Sequence, residues 1–364
     1  EDWSGGENQF RGSLGPLPVN QSKNNNPLFK AFLKASSEAG HKINPDMNGE
    51  EQEGFGMFDT TIHKGQRASV SKYYLNPAKK RKNLNIFSNS FVEKITPVGG
   101  GCIHKAWCIH LQNGQRVFAK TNHISNFNMF RYEYECLLNL RKYSDESFIY
   151  IPEPLELIKY NEISILCLKW IDLAQCSQKI LGQGLALLHK SSSRESKKNF
   201  GWESEGFIGT NFQIRGWNNN WGDYFIKYRL EPQLTIARAW GINIEDYKDL
   251  LVSFSSYLNN HQPTPSILHG DLWSGNCGTN ENGLGYLYDP ACYWGDREVD
   301  IAMTRLFGGF SADFYHSYEK IWPLNKSSKE RLDVYNLYHL LNHANIFGGF
   351  YKESVLKTIK KLRL

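Results

Sequence analysis

Asp271, Asn276 and Asp289 are three oxygen donors at short, ordered spacing in this 364-residue chain. The first two sit in His269-Gly270-Asp271-Leu272-Trp273-Ser274-Gly275-Asn276. The third ends the apolar, strand-like run Gly285-Tyr286-Leu287-Tyr288. The pattern suits phosphoryl transfer. One Asp orients a hydroxyl and accepts its proton, while the Asn and the second Asp hold magnesium against nucleotide phosphates. This chemistry asks for positioned oxygens and metal charge in a cleft that excludes water, and for little covalent work by the protein. His269 reads as a packing residue of the loop, because Asp271 already fills the role of base.

Elements upstream must position these groups and the donor. Gly99-Gly100-Gly101-Cys102-Ile103 follows a short alternating strand pattern, Val92-Glu93-Lys94-Ile95. Glycines without a Cβ let backbone amides approach phosphate oxygens. A second strand covers residues 105–111, and Asn113-Gly114 signals a hairpin turn. A third strand, residues 116–120, ends in Lys120, where a phosphate-pairing lysine would stand. That lysine needs a carboxylate on the next helix. Residues 130–141 have helical spacing, and Glu133 and Glu135 are both candidates on different faces. Cys102 lies among amides that could stabilise a thiolate, which makes it a candidate redox handle. It reads equally well as a small residue in a tight loop.

From about residue 94 to 364 the chain resembles the fructosamine (ketoamine) kinases, relatives of the aminoglycoside phosphotransferases. The resemblance is carried by Pro97-Val98-Gly99-Gly100-Gly101-Cys102-Ile103, Phe118-Ala119-Lys120-Thr121-Asn122, Met129-Phe130, Leu187-Leu188-His189 and residues 221–230 with Arg229. It continues through residues 269–276, Asp289-Pro290-Ala291, Phe307-Gly308-Gly309-Phe310 and Leu340-Leu341-Asn342-His343. The Leu-Trp-Ser-Gly filling around Trp273 distinguishes ketoamine kinases from the antibiotic kinases. The resemblance implies that Asp271 is the catalytic base and that Asn276 and Asp289 are magnesium ligands. It implies Lys120 as the partner of the α- and β-phosphates, Glu133 as the carboxylate paired with Lys120, and Gly99, Gly100 and Gly101 as the nucleotide cover. Adenine would meet a hinge at Leu168-Lys169-Trp170-Ile171, through the backbones of Lys169 and Ile171. The family often has Glu where Lys169 stands. Asp300 resembles the helix-anchoring Asp downstream of the metal site, and a structural role is expected of it.

Residues 1–95 resemble an internal piece of a glucose–methanol–choline oxidoreductase, closest to choline dehydrogenase. Arg11-Gly12, Gly15-Pro16-Leu17, Asn26-Pro27-Leu28, Gln52-Glu53-Gly54-Phe55-Gly56 and Tyr74-Leu75-Asn76-Pro77-Ala78 carry that likeness. Gly54 and Gly56 lack the strand–turn–helix setting of a dinucleotide site, so no flavin and no redox activity are expected. Phe29, Phe32, Phe55 and Phe58 are expected to lack their normal partners. The segment then reads as a non-functional fragment joined to the rest near residues 86–96, by genuine fusion or by faulty assembly of the reading frame.

The expected fold is α+β. A protein-kinase-like two-lobed fold, with a small antiparallel-sheet N-lobe (96–170) and a helical C-lobe (171–364), follows the incomplete oxidoreductase fragment (1–95). C-lobe helices are expected over residues 179–190, 224–240, 245–260, 332–345 and 353–362. Trp217, Trp221 and Trp273 are candidates for a sugar-stacking wall, although large aromatics also serve as core. A net charge of +5 is mild, and the basic run 79–82 reads as a solvated helix end, so no nucleic-acid partner is expected. No apolar stretch reaches the ~18 residues of a membrane helix, and no membrane partner is expected. Seven cysteines without a CxxC pair point to the reducing cytoplasm. The function expected is ATP- and Mg2+-dependent phosphorylation of a sugar hydroxyl on a small-molecule or glycated-protein ketoamine. The alternatives are a kinase for another amino-sugar or amino-alcohol, such as an aminoglycoside or choline, and a non-catalytic fusion or interaction module.

Overall fold

The structure is a computed structural model that describes residues 1–23, 25–81, 91–99, 103–195 and 199–363. Gly100, Gly101 and Cys102 lie outside the described residues, and so do residues 86–90 of the expected junction. The chain divides into two compact units, Glu1–Asn89 and Ser90–Leu364.

The first unit is thinly cored. Among its described residues, Trp3, Pro18, Val19 and Ala68 are the buried apolar side chains. Its centre is ionic instead. Buried Arg11 donates to Glu1, Asp46 and Asp59 at 2.7, 2.6 and 2.7 Å, and its guanidinium lies 4.3 Å over the Trp3 ring. The helix Pro27–Glu38 starts on Asn26, whose side chain accepts from the Leu28 amide, with proline in the first turn where no N–H is needed. Phe32 and Phe55 meet edge to face at 5.7 Å, while Phe58 stays 75% exposed. Phe29, Phe32, Phe55 and Phe58 all line one open cavity. A unit with so little buried apolar surface has little to oppose local opening. Its backbone amides are therefore expected to exchange with solvent well before those of the second unit. Hydrogen exchange followed by mass spectrometry checks this, and equal protection of the two units would refute it.

The second unit opens with five antiparallel strands in the order Val92–Val98, Lys105–Leu111, Arg116–His123, Ile163–Lys169, Pro154–Tyr160. The Asn113-Gly114 turn forms as its residues dictate. Gly114 takes φ +80, and the Asn113 side chain accepts from the Gln115 amide. The helix Phe127–Tyr143 buries Phe130, Glu133, Cys136, Leu137 and Leu140. Their spacing of three and four makes one stripe.

The larger lobe is mostly helical. The helices Lys179–Ser192, Lys248–His261, Ser328–Phe347 and Phe350–Leu362 cover four of the expected segments. The fifth is helical from 221 to 240 but changes pitch, with a π-turn at Ile226–Leu230. Apart from Gly285–Leu287, which the sequence marks as strand-like, the short strands add what periodicity could not reveal. Gly216–Asn218, Phe200–Trp202, Tyr293–Gly295 and Ser266–Leu268 make one sheet. Ile149–Tyr150, Gly285–Leu287 and Cys277–Thr279 make another. A three-residue strand is too short to show a period of two. Among the described residues, no helix is long and apolar enough to cross a membrane.

Candidate active site

The loop 269–276 leaves the buried strand Ser266–Leu268 and is tied down at once. Asp300, in the first turn of the helix Glu298–Leu306, accepts from the His269 and Gly270 amides at 2.8 and 2.9 Å. It also meets His189 Nε2 at 3.1 Å. Burial opposes its charge, but the His189 contact and the amide bonds outweigh burial and hold its pKa below the usual carboxylate value. The His269 ring is spanned at both nitrogens. Nε2 donates to the Tyr288 carbonyl at 2.9 Å, and Nδ1 accepts from the Asp271 amide at 3.4 Å. Burial lowers its pKa, so the ring stays neutral and acts as a strut.

Gly270 has a reason to be glycine. Its φ is +82, and a Cβ there would come 2.0 Å from the Ala291 carbonyl oxygen. Gly270→Ala is expected to cost about 1–2 kcal/mol from the left-handed backbone alone, with the backbone overlap adding to that. A thermal melt should show a clearly lowered Tm, and turnover should fall with it as the loop shifts. A variant with wild-type Tm and rate would contradict this account.

A hairpin brings the third oxygen donor back to the first two. Strands Cys277–Thr279 and Gly285–Leu287 pair antiparallel, and the Tyr288 amide donates to the Asn276 carbonyl at 3.0 Å. Asp289 therefore emerges beside Asn276. The Asn276 Nδ2 donates to the Asp271 carbonyl at 2.9 Å, to Asp271 Oδ2 at 3.0 Å and to the Asp289 carbonyl at 3.5 Å. With its nitrogen turned inward, Asn276 Oδ1 accepts nothing from the described residues. Asp289 has φ +56, a conformation that Asp tolerates better than most residues. Burial, then repulsion from Asp289, pushes the Asp271 carboxyl up to about 7, against the bond from Asn276.

Lys120 reaches this group from the small lobe. Its ammonium donates to Glu133 at 2.7 Å and to Asp289 at 2.5 Å. Burial alone would lower its pKa, but Asp289 and Glu133 raise it, so the cation persists. The choice between the two glutamates is thereby made. Glu133 is buried on the inner stripe, whereas Glu135 lies 3.9 Å from Arg131 and accepts from Ser204 at 3.3 Å. Sequence reasoning had no signal for His104. It packs 4.7 Å from Phe130 and lies 2.7 Å from Asn122 Nδ2. Burial and nearby Lys120 hold its pKa down to about 4, so no second cation competes with the lysine.

Gly99 is exposed just beyond the end of the first strand. Lys169 ends the strand Ile163–Lys169 with its amide on the Glu153 carbonyl at 2.9 Å. Ile171 is half-buried two residues on, and its amide has no acceptor among the described residues. The three tryptophans part company. Trp221 is 2% exposed, donates to the Tyr335 hydroxyl at 2.9 Å and packs on Phe200 and Phe225. It is core and cannot stack on a ligand, which corrects the expectation for that residue. Trp217 is half-buried, and Trp273, within the loop 269–276, is 37% exposed. Elsewhere, His261, Asp296 and Glu298 converge within 4.8 Å. Arg331 takes both oxygens of Glu298 at 2.7 and 2.8 Å, and Tyr335 donates to Asp296 at 2.6 Å. That cluster is a structural ion network.

A sequence profile described as fructosamine kinase matches residues 78–364. A second profile, described as GMC oxidoreductase, matches residues 2–126. The chain is 38% identical over 282 residues to a probable ketoamine kinase of Vibrio parahaemolyticus, covering 76% of this chain and 94% of that protein. It is 34% identical over 277 residues to the chloroplastic protein-ribulosamine 3-kinase of Arabidopsis thaliana, covering 74% and 82%. The crystal structure of a fructosamine-3-kinase homologue from Haemophilus somnus superposes with TM-score 0.67 at 31% identity, over 75% of this chain and 92% of that one.

Proposed function

This chain belongs to the fructosamine kinase family, and we propose that it transfers the γ-phosphoryl group of ATP to a sugar hydroxyl of a ketoamine. The observation that carries the mechanism is the convergence of Lys120, Glu133, Asp271, Asn276 and Asp289 through contacts of 2.5 to 3.5 Å. The fold is the two-lobed protein-kinase-like one, with residues 96–170 as the nucleotide lobe and 171–364 as the catalytic lobe.

Asp271, oriented by Asn276, takes the proton of the acceptor hydroxyl as that oxygen attacks the γ-phosphorus. The bond to the β,γ-bridging oxygen breaks, and ADP leaves. Lys120, held by Glu133, supplies the cation for the α- and β-phosphates, and its bond to Asp289 gives way to them. The residues present fit a magnesium ion. Asn276 Oδ1 and Asp289 Oδ2 are hard oxygen donors that accept no hydrogen bond among the described residues. When bound, magnesium offsets the charge developing on the transferred group. At the hinge, the exposed Lys169 and the Ile171 amide, free to donate, support adenine recognition through the backbone at Lys169 and Ile171. The described cysteines are all free, which supports a reducing compartment, the cytoplasm.

We assign the unit before the kinase no flavin chemistry, since Gly54 and Gly56 stand outside any strand–turn–helix. Purified protein should lack the visible flavin bands, and near one equivalent of bound flavin would overturn that assignment. The kinase reading is tested by ADP release with a panel of fructosamines, ribulosamines, aminoglycosides and choline. Turnover confined to the ketoamines supports it. Preference for an aminoglycoside or choline would replace it, and failure to bind Mg–ATP would leave a non-catalytic fusion.

A further inference from the structure

His104 stands one residue before the strand Lys105–Leu111, and the mechanism above gives it no task. Sheet register puts it at one end of the nucleotide's path. Lys169 at the hinge pairs with Val117, Ala106 pairs with Lys120, and Ser164 pairs with Asn122. Along the strand Arg116–His123 the order is therefore hinge side, then Lys120, then Asn122. Residues two apart on a strand share a face and stand about 6.6 Å apart. Asn122 thus repeats the direction of Lys120 one step farther from the hinge, and His104 meets it there.

Asn122 fixes the imidazole. Its Oδ1 accepts from the His123 amide at 2.7 Å and from Asn126 Nδ2 at 3.0 Å, which leaves its own Nδ2 to face the ring. That nitrogen lies 2.7 Å from His104 Nδ1 and 3.5 Å from the Ile103 carbonyl. Nδ1 is therefore an acceptor, and the neutral ring carries its one proton on Nε2. Phe130, on the helix stripe that also buries Glu133, packs 4.7 Å from the imidazole. The charges of Lys120 and Asp289 both reach the ring. His104 is half-buried, and its Nε2 meets no acceptor among the described residues.

We infer that His104 is a contact residue for the γ-phosphoryl group, its Nε2–H donating to a non-bridging oxygen there. This rests on the kinase reading above. With adenine at the hinge and the α- and β-phosphates at Lys120, the nucleotide's path along the strand continues to a γ-phosphate beside His104. The transferred group spreads its charge over three equatorial oxygens. A donor fixed on one of them holds the group for in-line attack without placing a second cation next to Lys120. A hydrogen bond to a charged group of this kind is worth on the order of tenfold in affinity.

The test measures binding of Mg–ADP and of Mg–AMP-PNP to the full chain by calorimetry, in the wild type and two variants. His104→Asn keeps an oxygen near the Nδ1 position to accept from Asn122 and has nothing at Nε2. His104→Gln extends an amide to the Nε2 position. His104→Asn is expected to bind Mg–ADP as the wild type does and Mg–AMP-PNP about tenfold more weakly. His104→Gln should recover most of that loss, and kcat should follow the Mg–AMP-PNP affinities. Thermal melts confirm that both variants fold. Unchanged Mg–AMP-PNP binding in His104→Asn, an equal loss for both nucleotides, or a loss that Gln does not recover overturns the contact while the kinase reading stands. A wild type that binds neither nucleotide would sink the kinase reading, and the contact with it.

Discussion

Asp271→Asn is expected to reduce turnover by on the order of 10²–10⁴-fold, the range for a lost general base, while the protein remains folded and still binds nucleotide. The side chain keeps its shape and can still meet Asn276, so geometry is preserved and only the proton acceptor is lost. Stability should move the other way. The Asp271 carboxyl is pushed from 3.8 up to about 7 in the folded chain, by burial first and by Asp289 second. The folded state therefore binds a proton that the unfolded state has released between those values. Stability falls as pH rises through that window, and above it the ionised carboxylate weakens the nucleotide-free fold. Asp271→Asn removes the penalty, so at pH 8 its apo Tm should equal or exceed that of the wild type. Activity in the wild type should fall as pH drops and the base is protonated. Metal at Asp289 cancels part of the repulsion and moves that limb below 7. Normal turnover by Asp271→Asn would falsify the role given to this residue, and a large loss of Tm would make the variant a folding defect instead.

Asp289→Ala is expected to weaken Mg–nucleotide binding and to lower turnover by on the order of 10²–10⁴-fold, because the metal's stabilisation of the transferring group is worth several kcal/mol. Two effects combine in that variant. It removes a carboxylate from the metal face, and it removes one of the two anions that hold Lys120. The left-handed φ of +56 at this position adds a backbone cost for alanine, which Asn avoids. Asp289→Asn thus isolates the charge, and its lost rate should be partly recovered at high magnesium, as read by a magnesium titration of kcat. Unchanged magnesium dependence in both variants would remove Asp289 from the metal site.

The chemical core of the site is legible in the chain because its parts are local. Asp271 and Asn276 share one loop, and a single tight hairpin returns Asp289 to them. The same holds for the Asn113-Gly114 turn and for the helices, whose spacing marks a face before any fold exists. Glu133 against Glu135 was a different kind of question. Both sit on the same helix, and the choice depended on which stripe meets the sheet carrying Lys120. The tryptophans pose the same problem, since a Trp two residues from a base and a Trp packed on Tyr335 look alike in sequence. The struts of the loop were also hidden, since Asp300 is expected from the sequence to be structural but its hold on the loop is not legible there. Its bonds to His189, His269 and Gly270 join residues up to 111 positions apart, and the Gly270 contact with Ala291 crosses two strands. Spacing along a chain specifies groups that one turn can assemble. Which face is buried, and which distant partner meets it, depends on how whole elements pack, and that free energy is shared among residues no short motif contains.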